Sequence, residues 1–248
     1  MDRKSTNMPE PDAPERKKRG ALLIQERLRE DIQWLRIEPG TALDEVTLAK
    51  AYEVSRTPIR EALLLLATEG FVQFLKNRTS IVAPLSLHNQ AAFLDTFILL
   101  SRGLIRGAVL NGGADPDSLG AFVDAFARGL EEGDTETAFR AQIALFRSIA
   151  ELAQNRFLEK YFLEAQDASV RVKLLYYFPR LSAADRAEAV RHLRAVVAAL
   201  ADGDPEAGDR AVRDAILFES GVIQRGLDPR FGHLMAIDAG GRAGGDGT

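Results

Sequence analysis

Residues 53–75 read EVSRTPIREALLLLATEGFVQFL, and this stretch decides the fold. Ser55 or Thr57 can cap a helix, Pro58 suits its first turn, and Gly70 stops it. Between these signals Ile59, Leu63 and Leu66 recur at helical spacing and are expected to pack inward. Arg56 and Arg60, four residues apart, project together from the leading edge. Past Gly70 the period changes. FVQFL (71–75) and SIVAPL (80–85) are short aromatic or β-branched runs joined by the polar KNRT, a pattern that predicts a two-stranded hairpin.

Upstream, ALLIQERLREDIQWLRI carries apolar residues at helical spacing (Leu22, Leu28, Ile32, Leu35) and stops at Pro39–Gly40. LDEVTLAKAYEV predicts a second, short helix capped by Asp44, with Val46, Leu48 and Ala49 facing inward. Three helices and a hairpin within about 65 residues make a winged helix-turn-helix, whose third helix enters the major groove while the hairpin turn touches flanking backbone.

Downstream, strand signals vanish. Ala/Leu-rich stretches are punctuated at NGGADPD, EEGDT, YFPRLS and DGDPEAG, which predicts an all-α bundle of six or seven helices. Asp204 and Pro205 open the last of these, with Ala211, Ala215 and Phe218 on its inner face. The expected layout is a disordered basic tail over 1–18, closed by Arg16, Lys17, Lys18 and Arg19, then the winged helix-turn-helix over 19–84. A linker over 85–90 leads to the bundle over 91–232 and a flexible tail over 233–248. The fold class is mainly α.

Composition narrows the function. A 248-residue chain that is 46% hydrophobic can build real cores. It lacks cysteine, which removes disulfides and thiolate metal sites, and no run of 18 apolar residues is present to span a bilayer. A soluble, cytoplasmic protein without membrane association is expected. The net charge of -4 hides a division: residues 1–84 hold 14 Lys/Arg against 13 Asp/Glu, and residues 85–248 hold 18 against 23. Any basic surface is therefore local to the first part. The three histidines lie far apart, and neither G-x-S-x-G nor a P-loop occurs, so no catalytic residue is assigned and no enzyme is expected.

The stretch IEPGTALDEVTLAKAYEVSRTPIREALLLLATEGFVQFLKNRTSIVAPL resembles the DNA-binding domain of GntR-type bacterial transcription factors. Their pattern is PG, then L-x-E-x-x-LA, then V-S-R-T-P-V-R-E-A-L, then L-x-x-E-G. RGLIRGAVL, FRSIAELAQNRFL and VVAALADGDPEAGDRAV resemble the all-helical ligand-sensing FCD domain of the FadR subgroup. The resemblance implies a homodimeric regulator that binds a pseudo-palindromic operator in double-stranded DNA and answers to a small-molecule effector. It places DNA contacts at Ser55, Arg56, Thr57 and Arg60, and at Lys76, Asn77 and Arg78 in the hairpin turn.

Elementary chemistry supports that transfer. A guanidinium can fork onto guanine O6 and N7 or onto a phosphate, and hydroxyls at a helix N-terminus suit phosphate. Cations in a first helical turn oppose the helix dipole and so call for an anionic partner. Two departures stand out: Val46 replaces a basic residue common in relatives, and Thr79 stands where the wing usually has glycine.

Many FCD domains bind a divalent metal through D-x-x-F-H and two later histidines. Aligning IALFR with that motif puts Ile143 at the aspartate and Arg147 at the first histidine; GDPEA then anchors Leu193 and Ala215 at the other two. Sliding the later register by one brings in His192 and Asp214 but leaves the 143–147 pair unrepaired. No metal and no other cofactor is expected, and His192 reads as a surface or interhelix residue. The sensing site is expected to take an anionic metabolite through Arg102 and Arg147 with Asn155, against walls formed by Ile143, Leu193 and Ala215. The competing expectation fills that pocket with apolar side chains and pairs Arg147 with a carboxylate. The competing function is an interaction protein: a docking bundle with a degenerate winged helix.

Overall fold

The structure, a computed structural model, describes residues 13–76, 79–85, 90–112 and 114–227. The chain divides into two compact units, 1–93 with 164–174, and 94–163 with 175–248.

In the first unit, α1 (Ala13–Gln33) turns Ala21, Ile24, Gln25, Leu28 and Ile32 inward. This differs from the expected stripe. Leu22 is 43% exposed, and Leu35 lies beyond the helix in a left-handed turn at φ 58. A small Ala and a polar Gln complete the inner face, so the large apolar residues alone misplace it. The α1 backbone also takes in residues 13–18 of the segment expected as tail.

Asp44 caps α2 (Glu45–Ala51) by accepting from the Thr47 amide at 2.7 Å and its hydroxyl at 2.8 Å. Ala49 is buried and Leu48 half-buried, as the pattern predicts, but Val46 is 57% exposed. Val46 lies three residues before Ala49, near the same face but in the exposed first turn of the helix.

α3 (Arg56–Thr68) buries Ile59, Ala62, Leu63 and Leu66. Ser55 holds the N-cap backbone position without a side-chain capping bond, and Gly70, at φ 79, supplies the left-handed residue that ends the helix. β1 (Val72–Phe74) and β2 (Ser80–Val82) pair antiparallel with Val72 opposite Val82. The segment entering α2 clips onto β2: Leu43 N donates to Ser80 O at 2.8 Å and Val82 N to Thr41 O at 2.9 Å. Leu28, Ile32, Ile59, Leu63, Leu66 and Val82 form the fully buried centre of this unit.

The bundle is built from α4 (Gln90–Asn111), α5 (Pro116–Glu132), α6 (Thr135–Leu152), α7 (Arg156–Val172), α8 (Ala183–Ala201) and α9 (Pro205–Leu227). A π-helical run, Lys173–Tyr177, and a 3-10 turn, Phe178–Arg180, join α7 to α8. The ends are marked by side chains: Asp115 and Asp134 cap α5 and α6, and Ser182 and Asp185 form a capping box on α8. Asp204 accepts from the Glu206 and Ala207 amides at the start of α9. Phe97 stacks on Phe162 at 5.6 Å, and Phe139 meets Phe178 at 5.0 Å. The inner face of α9 is Val212, Ala215, Ile216, Val222 and Ile223 with two carboxylates, Asp209 and Glu219; Ala211 and Phe218 only flank it. The architecture is a winged helix-turn-helix followed by an all-α bundle, and no helix among the described residues is long and apolar enough to cross a membrane.

Candidate nucleic-acid interface

α3 reaches its position because Ile59, Leu63 and Leu66 bury one side completely. The remaining side carries Arg56, Arg60 and Leu64, one turn apart each, and all three line a cleft of about 790 Å³. Its other walls come from Ala42–Glu45 and from the hairpin: Phe74, Leu75, Thr79 and Ser80. Ser55, Thr57 and Lys76 are exposed but lie outside this lining. Asn77 and Arg78 fall outside the described residues.

The two arginines stand in different electrostatic settings. Arg56 Nη2 donates to Glu45 Oε2 at 3.2 Å, with side-chain exposures of 65% and 23%. Among the described residues no ion pair is formed by Arg60. Asp44, beside them, is held below the usual carboxylate range by the Thr47 hydroxyl and then the Thr47 amide, with a smaller contribution from Arg56. The sequence signal for Glu45 was present in the L-x-E-x-x-LA pattern, but its contact with a residue 11 positions later was not evident from the pattern. The exposed Leu64, Phe74 and Leu75 likewise give no local sign that they share one cleft.

The six residues expected at a sensing site lie on α4, α6, α8, α9 and at the start of α7. On α4, Arg102 forks onto Asp209 of α9, Nε to Oδ1 at 2.7 Å and Nη2 to Oδ2 at 2.8 Å. That bidentate pair commits the face a ligand carboxylate would need. Arg147 is exposed on α6 and Ile143 half-buried, while Asn155 caps α7 by accepting from the Phe157 and Leu158 amides at 3.2 Å. Leu193 and Ala215 are buried in packing.

The polar groups inside the bundle are different ones. Gln142 Nε2 donates to Glu219 Oε1 at 2.6 Å with both residues buried, and Gln142 Oε1 is buried without a partner among the described residues. Burial, then the charges of Glu219 and Asp185, push the Tyr177 hydroxyl well up. His192 bridges helices, 3.2 Å from Glu188 and 5.2 Å from the Phe218 ring. No group of three or more His, Cys, Asp or Glu among the described residues is arranged to hold a metal, and His88 and His233 lie outside them.

The Arg102 fork holds the Asp209 carboxyl below its usual range against the opposing effect of burial, with Arg106 and Arg213 adding to it. A carboxyl depressed in the folded state contributes stability above its unfolded pKa, and that contribution is lost as pH falls through the folded value. Asp209→Asn is therefore expected to flatten the acid limb of stability below about pH 4. Urea midpoints measured between neutral pH and that limb check it; parallel curves for the two proteins would contradict the pairing.

Residues 21–82 match the family described as bacterial regulatory proteins, gntR family, and residues 94–217 match the FCD domain. An HTH-type transcriptional regulator of Streptomyces ambofaciens is 47% identical over 57 residues, which is 23% of this chain and 24% of that protein. The gluconate operon transcriptional repressor of Bacillus subtilis is 41% identical over 64 residues, 26% of each. The chain thus spans about a quarter of the length of the curated relatives it matches. Among solved structures, E. coli McbR/YncC superposes with a TM-score of 0.71 at 18% identity, covering 83% of this chain and 97% of that one, a likeness of fold.

Proposed function

The chain belongs to the GntR family of bacterial regulatory proteins and carries an FCD domain, and from that premise we propose that it is a metabolite-responsive regulator that binds a pseudo-palindromic operator as a homodimer. The observation that carries this reading is the placement of Arg56 and Arg60 on the exposed side of α3, beside the hairpin, with the opposite side fully buried. A helix so anchored presents guanidinium forks at the depth of base edges in a major groove. Ser55 and Thr57 supply hydroxyls for phosphate at its N-terminus, and the polar side chains of Lys76, Asn77 and Arg78 are assigned to flanking backbone. A relative that represses the gluconate operon supports the regulatory role.

The test is selection of duplexes from a random pool by the purified full chain, followed by titration across salt. The expected result is one enriched motif with two half-sites, bound with an affinity that falls steeply as salt rises. No duplex binding at low salt would favour a bundle that docks other proteins.

For the effector, we infer that Arg147 is the cation of the sensing domain, because Arg102 is already forked onto Asp209. Its exposed guanidinium on α6 suits a small anionic metabolite. Calorimetric titration with a panel of organic acids is expected to show binding that Arg147→Ala weakens about tenfold or more. Equal affinity in the two proteins removes the anion role from Arg147.

A further inference from the structure

We propose that Glu45 is a positioning residue for DNA readout: it pins the Arg56 guanidinium over the mouth of the α3 cleft and penalises contact with duplexes that do not match. The inference rests on the operator-binding reading and deepens it. It begins with an asymmetry, since Arg56 is tied to a carboxylate while its neighbour one turn on is not.

Arg56 is the first residue of α3, where its charge opposes the helix dipole. In the DNA-free protein the anion that offsets this is Glu45, itself the first residue of α2, where a negative charge is favoured. The carboxylate is the less exposed partner, 23% against 65%, so the glutamate is the fixed post and the arginine the tethered arm. The contact is single, Nη2 to Oε2, and therefore leaves other N–H groups of the guanidinium to fork onto a base edge. A free arginine side chain carries substantial rotamer entropy, part of which a tether removes before DNA arrives.

The second consequence is electrostatic. Asp44 and Glu45 put two carboxylates on the wall of the same cleft as Arg56 and Arg60. Phosphates approaching without good base contacts meet this local negative charge, whereas the matching site repays it with the Arg56 fork. Glu45 thus lowers affinity for all DNA and lowers it most for the wrong DNA. Arg60, without such a tether among the described residues, is left to adapt to backbone or base.

The experiment compares the full chain with Glu45→Gln, Arg56→Ala and the double variant, titrating each with the selected duplex and a scrambled one over a range of salt. Gln keeps the length of the side chain and leaves the Asp44 cap in place. The expected result for Glu45→Gln is tighter scrambled-duplex binding by about 3- to 10-fold, a specificity ratio reduced about tenfold, and a log–log salt slope steeper by about one. In the Arg56→Ala background the same change is expected to leave the specificity ratio where Arg56→Ala alone puts it. An unchanged ratio in Glu45→Gln overturns the inference, as does an equal fall with and without Arg56, while operator binding by the unaltered chain leaves the wider reading standing. No duplex binding by the unaltered chain overturns that reading, and this inference with it.

Discussion

Arg60→Ala is expected to weaken binding to the selected operator by about 10- to 100-fold, the loss of about 1–3 kcal/mol that a well-placed guanidinium fork contributes. The size follows from where the residue stands. Arg60 is exposed on α3, lines the cleft and has no ion pair among the described residues, so its removal leaves no buried charge behind. Alanine is also the better helix former, and the buried side of α3 is untouched, so melting temperature is expected to hold. The measurement is a salt series on matched and scrambled duplexes. If Arg60 contacts phosphate alone, the loss is uniform across sequences and the salt slope falls by about one; if it reads a base, discrimination at one position collapses. A loss under about twofold on both duplexes would make Arg60 an ordinary solvated residue. Arg60→Lys sharpens the result, because it keeps the charge and discards the fork.

Gly129→Ala is expected to destabilise the bundle, against the usual direction of such a change. Alanine in place of glycine inside a helix ordinarily gains about 0.5–1 kcal/mol. At Gly129, however, an added Cβ would lie 2.6 Å from the backbone N of Ala138 and 2.9 Å from its Cα. Those atoms belong to the first turn of α6, where Ala138 N donates to Asp134 O at 3.0 Å and Asp134 caps the helix through Thr137. Backbone there cannot swing aside like the end of a long side chain. The methyl must therefore push α5 and α6 apart, at about 1–3 kcal/mol or more, which outweighs the propensity gain. Gly120→Ala, on the same helix with nothing within 4 Å of its added Cβ, is the control. It is expected to be neutral or to raise the melting temperature slightly, and opposite signs in thermal melts of the two variants check the argument. A gain in both would mean that α5 and α6 separate without cost.

How much of this could be read from the chain depended on whether the deciding interaction was local. α3 was legible because its stop at Gly70 and its inward residues Ile59, Leu63 and Leu66 all lie within one short stretch. The placement of Arg56 and Arg60 on the outer side followed from that spacing. On α1, Leu28 and Ile32 face inward as the spacing implies, but Ala21 and Gln25 are buried where a search for large apolar residues selects Leu22. Val46 differs too: hydrophobicity and its spacing from Ala49 favoured burial, yet in the first turn of α2 it is exposed. In the bundle the polar interior was hidden altogether. Gln142 meets Glu219 across 77 residues and Arg102 meets Asp209 across 107, and neither pairing leaves a trace in local periodicity. A carboxylate on an inner face looks like an error of pattern until its partner is known.

The hydrogen bonds from Leu43 to Ser80 and from Val82 to Thr41 set the rules for transplanting this DNA reader. An exchange that replaces α3 alone would cut it away from Glu45, and one that starts at Asp44 would leave β2 without the strand-like neighbour it holds. A donor segment running from α1 through Val82 carries every one of these ties with it. Lys76, exposed and outside the cleft lining, offers a place to retune flanking-sequence preference while leaving the Glu45–Arg56 pair undisturbed.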